Sequence, residues 1–273
     1  MQIFIPTFMR EDKQKCFNNL PPEIQSMVTL VTHSGRAELL AEKNPNAKVM
    51  DLGSTDGIAD VRQKLLSAAT SNKVMIIDDS CVFKVRNDEL KLRDMSVDDY
   101  KNMFAMVEKE LDNFGMVGIS DQAGNNRVTE DVKQIGRSYS CYGVNKETWA
   151  SKGVSFDGMY KKNPEIKLYE DFYAILKMLT SGLPNAIIYK YAFSHAHGKP
   201  GGNSTVRTNA LQKRCIEALQ EEFPGLVKMV KKEDPSWSAG LTDVENFRWE
   251  CQISWQEAFK RSENTGSLDD FFA

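Results

Sequence analysis

With 273 residues, 41% of them hydrophobic, the chain is long enough to bury a sizeable core as one α/β domain or a domain with an appendage. Its 35 basic against 38 acidic residues exclude a chain-wide nucleic-acid coat and a disordered polyanion, so any polyanion site must be local. The five cysteines (Cys16, Cys81, Cys141, Cys215, Cys251) are odd in number and never spaced CxxC, MQIFIPTFMR is no secretory signal, and no run nears about 20 apolar residues; a reduced, soluble, cytoplasmic protein without a membrane partner is expected.

In chain order, Ile3 to Pro6 reads as a strand and Arg10 to Leu20 as a helix stopped by Pro21-Pro22. Met27–Thr32 is a strand, Gly35–Asn44 a helix, Lys48–Leu52 a strand and Gly53–Gly57 a turn. Ile58, Val61, Leu65, Leu66 and Ala69 then recur at helical spacing. Val74–Ile77, apolar on both faces, reads as a central parallel strand ending abruptly in Asp78-Asp79. This alternation predicts a doubly wound sheet, which binds ligands beyond the carboxyl ends of its strands.

Farther on, Met116–Ser120 and Arg137–Val144 read as strands, with Asp121–Gln134 and Ser151–Leu168 as loops. Tyr169–Ser181 carries a helical stripe ended by Gly182, and Ala186–Phe193 is a strand leading to His195-Ala-His197 and the glycine-rich Gly198–Asn203, a candidate lid. A helix near Thr208–Glu222, a basic stretch Lys228–Lys232 and an alternating run Phe247–Trp255 complete the chain. The expected division is a catalytic unit over 1–205, with a donor half to about 115 and an acceptor half over 116–205, followed by a helix/strand extension over 206–273 packing on the same domain.

IPTFMR, GSTDGIADVRQKLLSAA, IIDDS and YEDFYAILKMLTSG resemble the opening, donor turn, DxD strand end and acceptor-side ED helix of GT-A glycosyltransferases. With HAHGKPGGNSTVR, FPGLVKMVKK and ISWQEAF added, the chain most resembles the TET-associated glycosyltransferases, a phage-linked group that puts sugars on modified DNA bases. The resemblance implies an α/β, GT-A-like (Rossmann-like) mostly parallel sheet flanked by helices. It further implies an inverting transferase using a nucleotide-sugar donor, UDP-linked by expectation, with 5-hydroxymethylcytosine in double-stranded DNA as acceptor; the alternative is a glycosyltransferase acting on a glycan or small molecule.

Glycosyl transfer releases a diphosphate whose charge is usually neutralised by a hard divalent cation on carboxylates. Asp78 and Asp79 suit that donor site, although two acids can also end a strand in a solvated turn. Ser80 stands where the third acid of the family pattern would be, so either Asp79 or the later His195 and His197 carry the Mn²⁺ or Mg²⁺, or metal dependence is reduced. Two residues apart, these histidines share a face on a strand and can converge on a loop. Inversion needs one carboxylate within hydrogen-bond reach of the acceptor hydroxyl, and Asp171 is the candidate base, with Glu170 beside it on the acceptor side. The helix dipole alone also favours acids there. Thr7, Arg10, Asp56, Arg62 and Lys199, with Arg207 adding charge, are the further donor-side candidates; each could equally be a cap or a surface charge.

Nine Lys or Arg residues against three acids between Tyr160 and Arg214 are compatible with a DNA phosphate track. Tyr142, with Tyr139, Phe156 and Tyr160, could stack on an acceptor base, though such residues are more often core. A nucleotidyltransferase would want a glycine-rich, basic N-terminal signature that PTFMRED lacks. A non-catalytic nucleic-acid-binding module would leave the Asp78-Asp79 strand end unexplained.

Overall fold

The computed structural model describes residues 1–195, 207–233 and 247–269, with side chains of the last segment to 262. The chain begins with β1 (Gln2–Pro6), α1 (Lys15–Asn19), α2 (Pro22–Gln25), β2 (Val28–Thr32), α3 (Ala37–Lys43), β3 (Lys48–Asp51), α4 (Gly57–Ala68) and β4 (Lys73–Ile77). Then come β5 (Val82–Arg86), β6 (Leu92–Asp94), α5 (Val97–Glu110), β7 (Met116–Asp121), β8 (Val132–Gln134), β9 (Cys141–Asn145), α6 (Lys146–Ser151), α7 (Gly158–Lys162), α8 (Glu170–Thr180) and β10 (Asn185–Ser194). After the catalytic sheet lie α9 (Asn209–Glu222), β11 (Val227–Lys232), β12 (Arg248–Ile253) and α10 (Trp255–Asp269).

Ten strands form one sheet in the order β3-β2-β1-β4-β9-β7-β10-β5-β6, with β8 beside β10. The first four are mutually parallel, β9 runs against both β4 and β7, and β10 runs parallel to β7. This is the expected α/β, GT-A-like sheet with helices on both faces, wholly parallel over β3-β2-β1-β4 and mixed beyond β4. The directions have one consequence for the site. The carboxyl ends of β1, β4, β7 and β10 and the amino end of β9 share an edge, which brings Thr7, Asp78, Asp121, His195 and Ser140 to the same side of the sheet.

Two apolar layers sandwich the sheet. On one side Phe4, Ile76 and Tyr142 meet α4 and α8 through Leu65, Phe172 and Ile175; on the other, Ile5, Met75 and Ile77 meet α5 through Met103, Phe104 and Val107. Alternate residues of β4 thus point to opposite layers, which is why its sequence is apolar throughout. Two glycines let layers close up: a Cβ on Gly143 would lie 2.7 Å from Val107, and one on Gly158 would lie 2.3 Å from the Tyr173 hydroxyl. The two-stranded β11–β12 ribbon, α9 and α10 lie against α8, with Trp255 edge-on to Phe172 and Phe223 beside Tyr173.

Several expectations change. The helix expected over Arg10–Leu20 shrinks to α1, because Gln14 donates to the Arg10 carbonyl and to Thr7 Oγ1, holding Arg10–Gln14 in a turn. The strand expected from Arg137 begins at Cys141, since Ser140 enters it with φ 56°. The two expected loops contain β8 and α7, and the basic stretch is half of the β11–β12 ribbon. Trp255 opens a helix instead of closing a strand.

Candidate active site

Asp79 is anchored from the first βα turn. Its backbone carbonyl accepts from Cys16 N at 2.7 Å, Thr7 Oγ1 donates to its Oδ2 at 3.2 Å and Arg10 Nη1 to its Oδ1 at 3.1 Å. It is 8% exposed, and burial raises its pKa against the opposing pull of Arg10. Asp78 is more open. Its backbone N–H donates to Ser140 O at 2.6 Å, locking the ends of β4 and β9 together, while its carboxylate retains 34% exposure.

Arg62 ties this edge to the acceptor helix. It projects from α4, nearly buried, with Nη1 donating to Glu170 Oε1 and Nη2 lying 3.5 Å from Asp78 Oδ1. Its guanidinium lies over the rings of Tyr142 and Phe156, at 5.5 and 5.9 Å. Burial raises Glu170 to about 7 although Arg62 pulls it down, whereas the surrounding acids Glu170, Asp78 and Asp171 reinforce the charge on Arg62. One permanently charged guanidinium thus faces three carboxyl groups. Arg62 Nε and Tyr142 Oη are buried with no hydrogen-bond partner among the described residues, two polar atoms left unspent in this seam.

Helix α8 begins under strain. Tyr169, its N-cap, sits at φ 66° and ψ 27°, a conformation costly for a bulky residue, and turns the chain so that Glu170 points inward to Arg62. Asp171 is half-buried one residue later, its Oδ1 accepting from Phe172 N at 3.0 Å.

The other expected residues divide. Asp56 is tied to the 151–169 segment: Lys167 Nζ donates to it at 2.6 Å and Tyr160 Oη at 2.5 Å. The pair with Lys167 holds the Asp56 carboxyl below its usual range. Tyr142 has no exposed surface and its ring is covered by Arg62 and Phe156, so as it stands it offers no face to an acceptor base. His195 lies against Tyr139 and Phe193, with ring centroids 5.7 and 5.5 Å away. His197, Lys199 and the glycine-rich lid lie outside the described residues. Both Asp79 oxygens are engaged by Thr7 and Arg10, and among the described residues no three His, Cys, Asp or Glu side chains converge as a metal site. Those residues therefore do not by themselves assemble the expected ion site, and no step below runs through a metal.

The expected phosphate track is largely spent. Lys161, Lys162, Lys167, Lys213 and Arg214 pair with Asp157, Glu222, Asp56, Glu217 and Glu165. Sequence reasoning also passed over Gln14, Ser140 and Phe8. Phe8 stacks on His33 at 4.1 Å under Arg36 where β1 and β2 end, and only its place in PTFMR could have signalled it. Among the described residues no helix is long and apolar enough to cross a membrane.

Paired acids at a parallel strand end, facing a second acid pair at a helix start across a buried arginine, define an α/β enzyme of the group-transfer kind. A family model described as TET-Associated Glycosyltransferase matches residues 1–202, and the chain belongs to that family; it is a glycosyltransferase. It is 22% identical over 242 residues to the Beta-glucosyl-HMC-alpha-glucosyl-transferase of Enterobacteria phage T6, covering 82% of this chain and 81% of the relative. The phage T2 protein of the same name matches to the same extent. Among solved structures, glucosyl-3-phosphoglycerate synthase from Mycobacterium tuberculosis, in complex with Mg²⁺ and UDP, aligns with TM-score 0.49 and 12% identity over 92% of this chain and 86% of that one.

Proposed function

We propose that the protein transfers a sugar from a nucleotide donor, a UDP-sugar by first choice, to a hydroxymethylated cytosine in double-stranded DNA. The names of the phage relatives support a sugar-bearing HMC chemistry of this kind. The observation that carries the reading is the Arg62 bridge, which joins the Asp78 strand end to the start of the Glu170-Asp171 helix. Donor diphosphate and acceptor hydroxyl would meet in that seam. Arg62 Nε and Tyr142 Oη are the unspent polar atoms there, and Arg62 supplies fixed positive charge toward a leaving diphosphate.

Asp171 takes the proton of the acceptor hydroxyl as its oxygen bonds to the anomeric carbon. The bond from that carbon to the diphosphate breaks, and its electron pair leaves with the diphosphate. Such in-line displacement inverts the anomeric centre. The alpha linkage in the relatives' names favours a second reading, retention from an α-linked donor, in which Asp171 would orient the acceptor instead of ionising it.

The test is incubation with a set of nucleotide sugars and 5-hydroxymethylcytosine duplex, with and without EDTA, followed by nucleoside mass spectrometry and NMR of the anomeric linkage. A hexose or pentose increment on that nucleoside is expected, and the linkage separates the two readings. Asp171→Asn should lower turnover at least about 100-fold while keeping the thermal shift given by the UDP-sugar. Undiminished turnover would remove Asp171 as the base.

A further inference from the structure

Beyond the seam, the same sheet edge holds a pocket of about 330 Å³ under the 121–137 excursion, lined by residues that include Ser120, Asp121, Lys133, Arg137, Tyr139 and Ile187. That volume is at the low end of ligand pockets, about 300–1,000 Å³, and suits one base or one sugar unit better than a peptide. The pocket is built. Tyr139 Oη donates to Asp121 Oδ2, Asn185 Nδ2 ties Gly136 O at 2.8 Å, and Arg86 donates from beneath to the carbonyls of Val128 and Glu130. Ile135 at φ 58° and Ser140 at φ 56° bracket the segment, so two costly conformations are maintained to present Arg137 and Tyr139.

Arg137 differs from the other arginines of the site. Its guanidinium lies 4.1 Å from the Tyr139 ring centroid and 4.7 Å from that of Phe172, clamped by two aromatic rings. It is exposed, and among the described residues it forms no salt bridge, whereas Arg10 and Arg62 are both paired to carboxylates. Stacking fixes the plane and leaves the edge donors for something outside the protein. Phe172 directly follows Asp171, so the clamp sits one residue along α8 from the proposed base.

Building on the DNA-acceptor reading above, we propose that Arg137 anchors a DNA phosphodiester beside the modified nucleotide and that the pocket beneath receives that nucleotide's base. An anionic oxygen pair matches the planar fork of an arginine, and a single extruded base matches the pocket's size. Arg137 is a positioning residue: it sets the distance from backbone phosphate to the hydroxyl that Asp171 faces.

The test is fluorescence anisotropy of a 5-hydroxymethylcytosine duplex with the full chain across a salt series, alongside steady-state transfer and the UDP-sugar thermal shift. Arg137→Gln should weaken Kd several-fold, lower the slope of log Kd against log salt by about 1, raise KM for DNA more than it lowers kcat, and leave the UDP-sugar shift at its wild-type value. Arg137→Lys should keep the salt slope but lose part of the affinity, because the stack is gone. An unchanged Kd and slope in Arg137→Gln overturns the proposal, as does loss of the UDP-sugar shift with DNA binding intact, which would make Arg137 a donor residue. If wild type glycosylates the duplex while Arg137→Gln does so with the same KM, only this inference falls. A wild type that binds no DNA removes the DNA-acceptor reading and this inference with it.

Discussion

The half proposed for the donor reaches the functional edge through short parallel crossovers, β1-α-β2-α-β3-α-β4, whereas the half proposed for the acceptor reaches it through antiparallel strands and two long excursions, residues 121–140 and 151–169. In the first, each site residue directly follows its strand: Thr7 after β1, Asp78 and Asp79 after β4. In the second, Glu170 is aimed by a strained N-cap, and Arg137 and Tyr139 by a segment held between two left-handed residues. A parallel strand end is a fixed address for a common donor. Excursions pinned at a few points can change length and chemistry without moving that address, which suits them to acceptor choice.

The bridge between the halves offers the strongest way to break that contrast. Arg62→Met removes the cation that, among the described residues, pairs with Glu170, and leaves a buried carboxyl group unpaired, so a loss of about 3–5 kcal/mol is expected in urea unfolding. Glu170→Gln in the same background should return part of it, since the unpaired acid is then gone. A double variant no more stable than Arg62→Met would mean that the two halves are held elsewhere.

A smaller effect is expected with pH, and its sign follows from Glu170. Burial raises its folded pKa from 4.5 to about 7. The stability it contributes is therefore fully present below about 4.5 and lost as pH rises through about 7. The stability difference between wild type and Glu170→Gln should shift against wild type across that window, and a difference flat from pH 4 to 8 (about the range in which most domains stay folded) would mean that Arg62 keeps Glu170 ionised throughout.

The contrast also explains what could be read in advance. Donor-half strands and helices follow from hydrophobic periodicity, and Asp78-Asp79 stands out because an apolar run ends there. The region 82–110, with β5, β6 and α5, went unread, although Ser96 and Asp99 form a capping box that marks the start of α5. The GSTDG setting of Asp56 gives no sign of its partners Lys167 and Tyr160, which lie more than 100 residues away. Tyr142 lies in an alternating strand, and period two cannot say which face lies under an arginine. Five cations between residues 160 and 214 are spent on carboxylates, four of which, Asp56, Asp157, Glu217 and Glu222, lie outside that window. Apart from the i,i+4 pairs Lys161–Asp157 and Lys213–Glu217, the contacts of Asp56, Tyr142 and Lys162 are long-range, which local sequence does not carry.

The mildest test asks whether the halves are also clipped at the rim. Asp56 joins the donor turn to Lys167 and Tyr160 of the second excursion, but the contact is solvent-exposed and open to screening. Asp56→Ala should therefore lower Tm by at most a few degrees, less at high salt, and leave UDP-sugar binding at its wild-type strength if Asp56 does not touch the donor. Its effect on transfer should fall on KM for DNA, because Lys167 and Tyr160 precede the strained turn at Tyr169 that aims Glu170. A large rise in the Kd of the UDP-sugar would instead return Asp56 to the donor pocket. The acceptor excursion would then be the one that moves to admit the donor.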